Sequence, residues 1–391
     1  MRIGLFNDSF PPTIDGVANT VINYAGIIHE KFGDSVVITP KYPNVTDNYP
    51  FPVFRYHSVK FSGELPYRIG NPFSPPAIRE VHKMKLDLMH VHSPFASSVF
   101  AHEVALLHRK KIPTVFTYHT KFDIDIDRFI ENKGFNIIAR KFVLNNIQNA
   151  DEVWAVSQGT IPSLRLIGYQ GDVRIMPNGT DFPRGKAKAS AVHEIDRVYR
   201  TENEELVFLY CGRMMWYKNL KITLDALKRI QSAGIRFRMF FVGDGPDRPA
   251  IEQYAGQIGL GDRTIFTGAI CDREKVRAFF SRADLFLFPS TYDTAGLVVK
   301  EAAACGCAAA LIENSCAAEG VEDGVSGLLC REEAADFAQK IAHAVQTPGF
   351  LKKLGAAAEE KLYYSWEDSV TAAFHRYEKI LEEFNQKKNC I

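Results

Sequence analysis

The sequence predicts an α/β protein built from two Rossmann-like, doubly wound domains. Two observations lead there. The chain has 391 residues, more than one ordinary core holds at about 100–200 residues per domain. Short apolar, β-rich runs alternate with longer helical patterns, and that alternation starts afresh halfway along.

In the first half the candidate strands are Arg2–Asn7, Ser35–Thr39, Leu88–His92, Thr114–His119, Glu152–Ser157 and Val173–Met176. Between them lie periodic segments such as Val17, Val21, Tyr24 and Ile28, an apolar stripe of helical spacing. Strand–helix–strand repetition implies a parallel sheet covered by helices. Pro177-Asn178-Gly179 is a turn signal, and a polar stretch from Pro183 to Ser190 reads as a linker. New strands follow at Leu206–Cys211, Arg238–Val242, Thr264–Gly268, Leu285–Pro289 and Ala308–Leu311. The expected division is an N-terminal domain over 1–182 and a C-terminal domain over 183–366. Trp366 opens a last helix, with Phe374, Tyr377, Ile380 and Leu381 as its apolar stripe.

Composition excludes several function classes. The formal net charge is +1, so no global field points to nucleic acid. Seven cysteines occur with no CxxC pair, which argues against a zinc framework or a disulfide scaffold. The opening Met1-Arg2-Ile3-Gly4-Leu5-Phe6 lacks a long apolar region, and no run approaches about 18 apolar residues. A cytoplasmic protein is expected. His90 and His92 share one strand face, but without further ligands of suitable spacing a metal is not expected there.

Two segments carry chemistry. Gly212-Arg213-Met214-Met215-Trp216-Tyr217-Lys218-Asn219 follows an apolar strand and precedes a helical run, Leu220 to Ile230. Arg offers a planar fork of donors and Lys a mobile point charge, a pair that suits a diphosphate. The second segment runs from Pro289 to Gly306. A strand ends at Pro289, and a polar loop leads into a helix starting near Gly296. Free N–H groups and partial positive charge at a helix N-terminus favour a phosphate. Asp293 in the loop and Glu301 one turn into the helix can face one cleft, where carboxylates accept from sugar hydroxyls. Against this stands the plainer possibility that Asp293 only caps the helix.

In these segments the chain resembles the family 4 glycosyltransferases, retaining enzymes of GT-B fold. Gly212, Arg213 and Lys218 match that family's Gly-Arg…Lys signature, and Asp293 and Glu301 its carboxylate–x7–Glu signature. Further matching pieces are Val242-Gly243-Asp244-Gly245-Pro246, Phe266-Thr267-Gly268 and Pro177-Asn178-Gly179-Thr180-Asp181. In the first half Phe10-Pro11-Pro12 with Asp15-Gly16-Val17 resembles the family's glycine loop, and His90–Pro94 and Thr117–Thr120 resemble later motifs. The resemblance implies two Rossmann-like domains facing a central cleft, with the acceptor domain first and the helix 367–391 packing back on it. It implies that Arg213 and Lys218 neutralise the donor diphosphate, that Glu301 binds ribose hydroxyls, and that Asp293 holds the transferred sugar. Backbone around Ala295, Gly296, Leu297 and Val298 would meet the phosphates. Gly16 would let its loop approach the donor, and His119 would sit near the reacting centre. The chain departs from the family where Asp293 replaces the usual Glu and Ala295 a frequent Phe.

The expected reaction is retaining transfer of a hexose from a nucleotide-sugar, a UDP-sugar first, with no metal or other cofactor. The Ile14–Val17 and Tyr118–Thr120 regions are similar to enzymes that glycosylate diacylglycerol. A membrane lipid is therefore the expected acceptor, reached by peripheral association at the inner face of the membrane. Phe122–Phe129, directly after His119, is the expected docking segment, and the basic run His108–Lys111 reads as a solvated helix end. A soluble or polysaccharide-precursor acceptor is the alternative. A sugar-nucleotide epimerase and a non-catalytic sugar-nucleotide-binding protein are alternatives of other classes.

Overall fold

In the computed structural model the chain divides into two compact units, Met1–Asn178 with Trp366–Ile391, and Gly179–Ser365. The residues described are 1–13, 15–60, 68–107, 112–201 and 206–389. Ile14 and the basic run 108–111 lie outside them.

The first unit holds a seven-stranded parallel sheet in the order β3-β2-β1-β6-β7-β8-β9. Its strands are β1 (Arg2–Phe6), β2 (Asp34–Pro40), β3 (Val53–Tyr56), β6 (Leu88–Val91), β7 (Thr114–Tyr118), β8 (Glu152–Ala155) and β9 (Val173–Ile175). A separate antiparallel pair, β4 (Ser58–Lys60) and β5 (Arg68–Gly70), follows β3. The central strands are buried on both faces, as in a sheet sandwiched between helices: β6 is buried along its whole length. The last helix, Trp366–Asn389, completes this unit's core. Tyr377 is fully buried and stacks on Trp154 of β8, and Arg376 pairs with Glu152.

The second unit holds a six-stranded parallel sheet in the order β12-β11-β10-β13-β14-β15. These are β10 (Leu206–Cys211), β11 (Phe237–Val242), β12 (Thr264–Gly268), β13 (Leu285–Phe288), β14 (Ala309–Ile312) and β15 (Gly327–Cys330). Phenylalanines fill its core, with Phe208, Phe237, Phe240, Phe241, Phe280 and Phe286 all inaccessible to solvent. Thr180 pairs with Ser365, which closes the unit where the chain enters and leaves it.

The expected fold class is borne out. Two strands of the parallel sheets were not anticipated, β3 and β15, both at sheet edges, nor was the separate β4–β5 pair. Phe51 and two flanking prolines mask β3, and Gly327 opens β15. A side chain at Gly327 would come within 2.9 Å of the Ala309 carbonyl, so this strand requires a residue that weakens its own signature.

Candidate active site

In each sheet the strand order reverses once, between β1 and β6 in the first unit and between β10 and β13 in the second. Open parallel sheets bind ligands beyond the carboxyl ends of the strands at such a reversal. The residues singled out from sequence gather at these two places.

After β10 the chain turns through Gly212 and Arg213, anchors on the fully buried Met214, and makes a short turn over Trp216–Lys218 before the helix Leu220–Ser232. Neighbouring loops hold this turn. Gly212 N–H donates to Val242 O (2.9 Å), Met214 N–H to Asp244 O (2.9 Å), and Trp216 N–H to Asp247 (2.9 Å). A Cβ at Gly243 would lie 2.1 Å from Gly212 O, and one at Gly245 would lie 2.3 Å from Met214 O. These glycines let two loops touch each other. That is a different reason from the close approach to a ligand that glycine-rich strand ends suggest in the sequence.

Lys218 is only 9% exposed, and its Nζ donates to Asp293 Oδ1 at 2.8 Å. The other oxygen of Asp293 accepts from the Oγ of fully buried Ser290 at 2.5 Å. Asp293 is thus an ion-pair partner, not a helix cap. Arg213 is exposed and forms no ion pair among the described residues, which leaves its guanidinium open to an anion. Gly296 takes the left-handed conformation (φ 53°) just before the helix Leu297–Ala304. Leu297 and Val298 stand at the start of that helix, where N–H groups have no acceptor within the helix. Ala295 is half-buried in the loop that leads in.

Glu301 lies one turn into the same helix and is 9% exposed. Burial pushes its carboxyl above the usual range, and the guanidinium of Arg273 opposes that shift. Arg273 donates to Glu301 at 2.6 Å and grips Asp181 with two bonds of 2.9 and 2.5 Å, while its guanidinium lies 4.4 Å from the centre of the Phe182 ring. Cys211, at the end of β10, feels the charges of Glu301, Arg273 and Lys218, so the two ion-pair clusters flank one strand end. Arg273 was missed in the sequence. Its helix start carries an Asp272 cap that accepts from Glu274 and Lys275, a pattern that reads as structural.

The first unit presents a different site. Asp8, just past β1, accepts from Ser93 Oγ (2.6 Å) and Ser97 N–H (2.9 Å) across the strand reversal, and burial raises its pKa. His92 Nδ1 meets His119 Nε2 at 3.0 Å. His90 is held by Tyr377 and Thr117 hydroxyls, both at 2.6 Å. The His90 pair of nitrogens is therefore committed to hydroxyls, and no cluster of three metal-ligating groups occurs among the described residues. Burial drives His119 down to about 3 and lowers His90 and His92 well below 6.5, so all three are neutral imidazoles at pH 7. His119 can exchange hydrogen bonds with a hydroxyl but brings no positive charge. Gly16 is the first residue of the helix Gly16–Ile27, capped by Asp15, and a Cβ there would meet nothing within 4 Å.

Phe122–Phe129 forms a helix, but Phe122 and Ile126 point inward and buried Asp123 accepts from Ser163. Phe122 and Ile126 belong to the core, so those two side chains are not available to the expected docking surface.

Comparisons with known proteins agree with this architecture. The model of glycosyl transferases group 1 matches residues 192–361, and that of glycosyltransferase family 4 matches residues 14–184. An α-monoglucosyldiacylglycerol synthase of Acholeplasma laidlawii is 23% identical, with all of both chains covered. The sulfoquinovosyl transferase SQD2 of Arabidopsis thaliana is 25% identical over 95% of this chain and 72% of its own. Among solved structures, a sucrose-phosphate synthase from Thermosynechococcus elongatus superposes with a TM-score of 0.76 at 22% identity, covering 98% of this chain and 99% of that one. Anabaena HepE in complex with UDP and glucose gives the same score at 19% identity, over 97% of this chain and all of that one.

Proposed function

This chain belongs to the family 4 glycosyltransferases, and from that premise we propose that it moves a hexose from a UDP-sugar to diacylglycerol or a related membrane lipid, with retention at the anomeric carbon. The observation that carries the donor half is the cluster of fixed charges at the reversal between β10 and β13, with Arg213 left open. A departing nucleoside diphosphate needs charge stabilisation. Arg213, Lys218 and the helix start at Leu297–Val298 supply it from the protein itself, without a metal in the scheme. Glu301, oriented by Arg273, accepts from the ribose hydroxyls. Asp293, pinned by Lys218 and Ser290, accepts from hydroxyls of the sugar. No carboxylate stands out as a nucleophile, so the acceptor hydroxyl attacks on the face the nucleotide leaves.

The acceptor half is supported by the full-length relative that carries diacylglycerol in its name and by the uncharged character of the His92–His119 pair. A neutral imidazole suits a neutral alcohol. No helix of the described residues is long and apolar enough to cross a membrane; with a lipid acceptor, the reading is of an enzyme that meets the cytoplasmic face of the membrane reversibly. The test is transfer from UDP-, GDP- and ADP-hexoses to diacylglycerol in vesicles and to a panel of soluble sugars, with the product anomer read by NMR. An α-linked glycolipid from a UDP-α-hexose is expected. Transfer only to soluble sugars overturns the acceptor, a different base overturns the donor, and a β-linked product overturns retention.

A further inference from the structure

We propose that His92 is a positioning residue that fixes where His119 carries its ring proton: His92 holds its hydrogen on Nδ1 and donates it to His119 Nε2, so that His119 is protonated on Nδ1 alone. The assignment stands on geometry within the first unit. Its use in sugar transfer rests on the acceptor reading above.

His92 Nδ1 and His119 Nε2 are 3.0 Å apart. The ring centroids are 5.2 Å apart and the planes only 22° from parallel, so the rings meet end to end and share one in-plane N–H···N bond. Both imidazoles are buried and neutral. A single proton therefore lies in that bond, and one ring is the donor. The far side of His92 decides which. Its Nε2 is buried with no hydrogen-bond partner among the described residues. If His119 donated, His92 would carry its own proton on that nitrogen and bury an N–H with nothing to accept it. When His92 donates, the same nitrogen holds only a lone pair. Among buried backbone groups an orphaned N–H is a rarer defect than an under-satisfied acceptor, and the same preference applies to a ring nitrogen. The Tyr24 ring, edge-to-face with His92 at 5.6 Å, offers an N–H no more than a weak π acceptor. His90 sets no such direction. Its two nitrogens meet the hydroxyls of Tyr377 and Thr117, which donate or accept equally well, so either tautomer is satisfied.

The consequence is chemical. An imidazole whose Nε2 lone pair accepts from His92 and whose Nδ1 is protonated has no lone pair left to take a proton. His119 is then a hydrogen-bond donor and not the base that receives the proton of the acceptor hydroxyl. The backbone holds His92 in place for this. Its N–H donates to Phe6 O at 2.8 Å, and the next residue, Ser93, is tied through Oγ to Asp8 at 2.6 Å.

The test is NMR of the full-length protein with isotope-labelled histidine at neutral pH, with the His119 ring signals assigned by their absence from His119→Gln. His119 and His92 are both expected to be protonated on Nδ1. His92→Leu removes the donor, and the ratio of Nε2-protonated to Nδ1-protonated His119 should rise about tenfold, the effect of one neutral hydrogen bond. His92→Asn, whose amide donates from near the Nδ1 position, should restore the wild-type tautomer. Transfer should follow the tautomer, slowed in His92→Leu and regained in His92→Asn, while UDP affinity stays as in the wild type. A wild-type His119 protonated on Nε2 overturns the proposal without any variant. So does a folded His92→Leu protein with the tautomer unchanged, or transfer that stays slow in His92→Asn although the tautomer is restored. The expected tautomers in a wild type that transfers nothing to diacylglycerol support the assignment and sink only the acceptor reading.

Discussion

The two units share one architecture and use its strand ends in opposite ways. Past β10 and β13 the second unit sets permanent charges of both signs, with Lys218 against Asp293 and Arg273 between Asp181 and Glu301. Past β6 and β7 the first unit sets imidazoles so deeply buried that they stay uncharged. The difference teaches that the fold fixes where a ligand sits, while the side chains planted there decide its charge. On the proposed reading a charged diphosphate goes with the second unit and a neutral alcohol with the first.

The comparison breaks first at Lys218. Lys218→Ala should lower kcat/KM about a hundredfold, since a charge-assisted contact contributes about 1.5–3 kcal/mol, with circular dichroism and unfolding little changed. Wild-type turnover and UDP affinity in this variant would remove the charged half of the contrast.

Acid sharpens the other half. A group whose folded-state pKa is lowered adds stability that is present above its ordinary value and lost as pH falls towards the lowered one. For His119 that window runs from 6.5 down to about 3, so near pH 5 it removes about 2 kcal/mol. Urea unfolding between about pH 7 and 5 should show this loss in the wild type, and His119→Gln should flatten the slope by about one proton. A slope equal to that of the wild type would mean the imidazole is not neutral by burial.

The two carboxylates of the second unit should separate by ligand. Glu301→Gln is expected to weaken UDP and UDP-sugar alike by about tenfold. Asp293→Asn should leave bare UDP binding intact and slow transfer by a similar factor. Calorimetry that gives the reverse pattern exchanges the two roles.

The smallest effect belongs to Arg273, which acts through Glu301. Arg273→Gln should weaken UDP by a few-fold, and by little more when Glu301→Gln is already present. Because Arg273 opposes the upward shift of Glu301, its loss should also move the pH midpoint of UDP binding upward. Additive effects of the two substitutions would make Arg273 an independent contact.

Much of this was legible in the sequence because the signals are local. Thr264–Gly268 is a strand as read, and the helix expected near Gly296 begins at Leu297. Arg213, Lys218 and Asp293 stand out because each follows an apolar strand, and Glu301 because it lies one turn into the helix after that loop. Arg273 does not, since Asp181 and Glu301 come to it from 92 and 28 residues away and only tertiary folding joins them. The helix Lys133–Gln148 is illegible for another reason. Phe135, Ile138 and Phe142 have the spacing of a core stripe but are exposed, and nothing in a one-dimensional pattern says that this stripe faces outward.

The place of the Trp366–Asn389 helix has a consequence for synthesis. The first unit's buried His90 is held by Tyr377, and Trp154 stacks on the same ring. Yet the ribosome delivers Tyr377 only after all of Gly179–Ser365 has emerged. At about 5–20 residues per second, the nascent first unit waits roughly ten to forty seconds for its final helix. The second unit needs nothing made after Ser365. The half that begins translation first is therefore completed last, and its unfinished core stays open to chaperones and proteases for the whole time the second unit is being made.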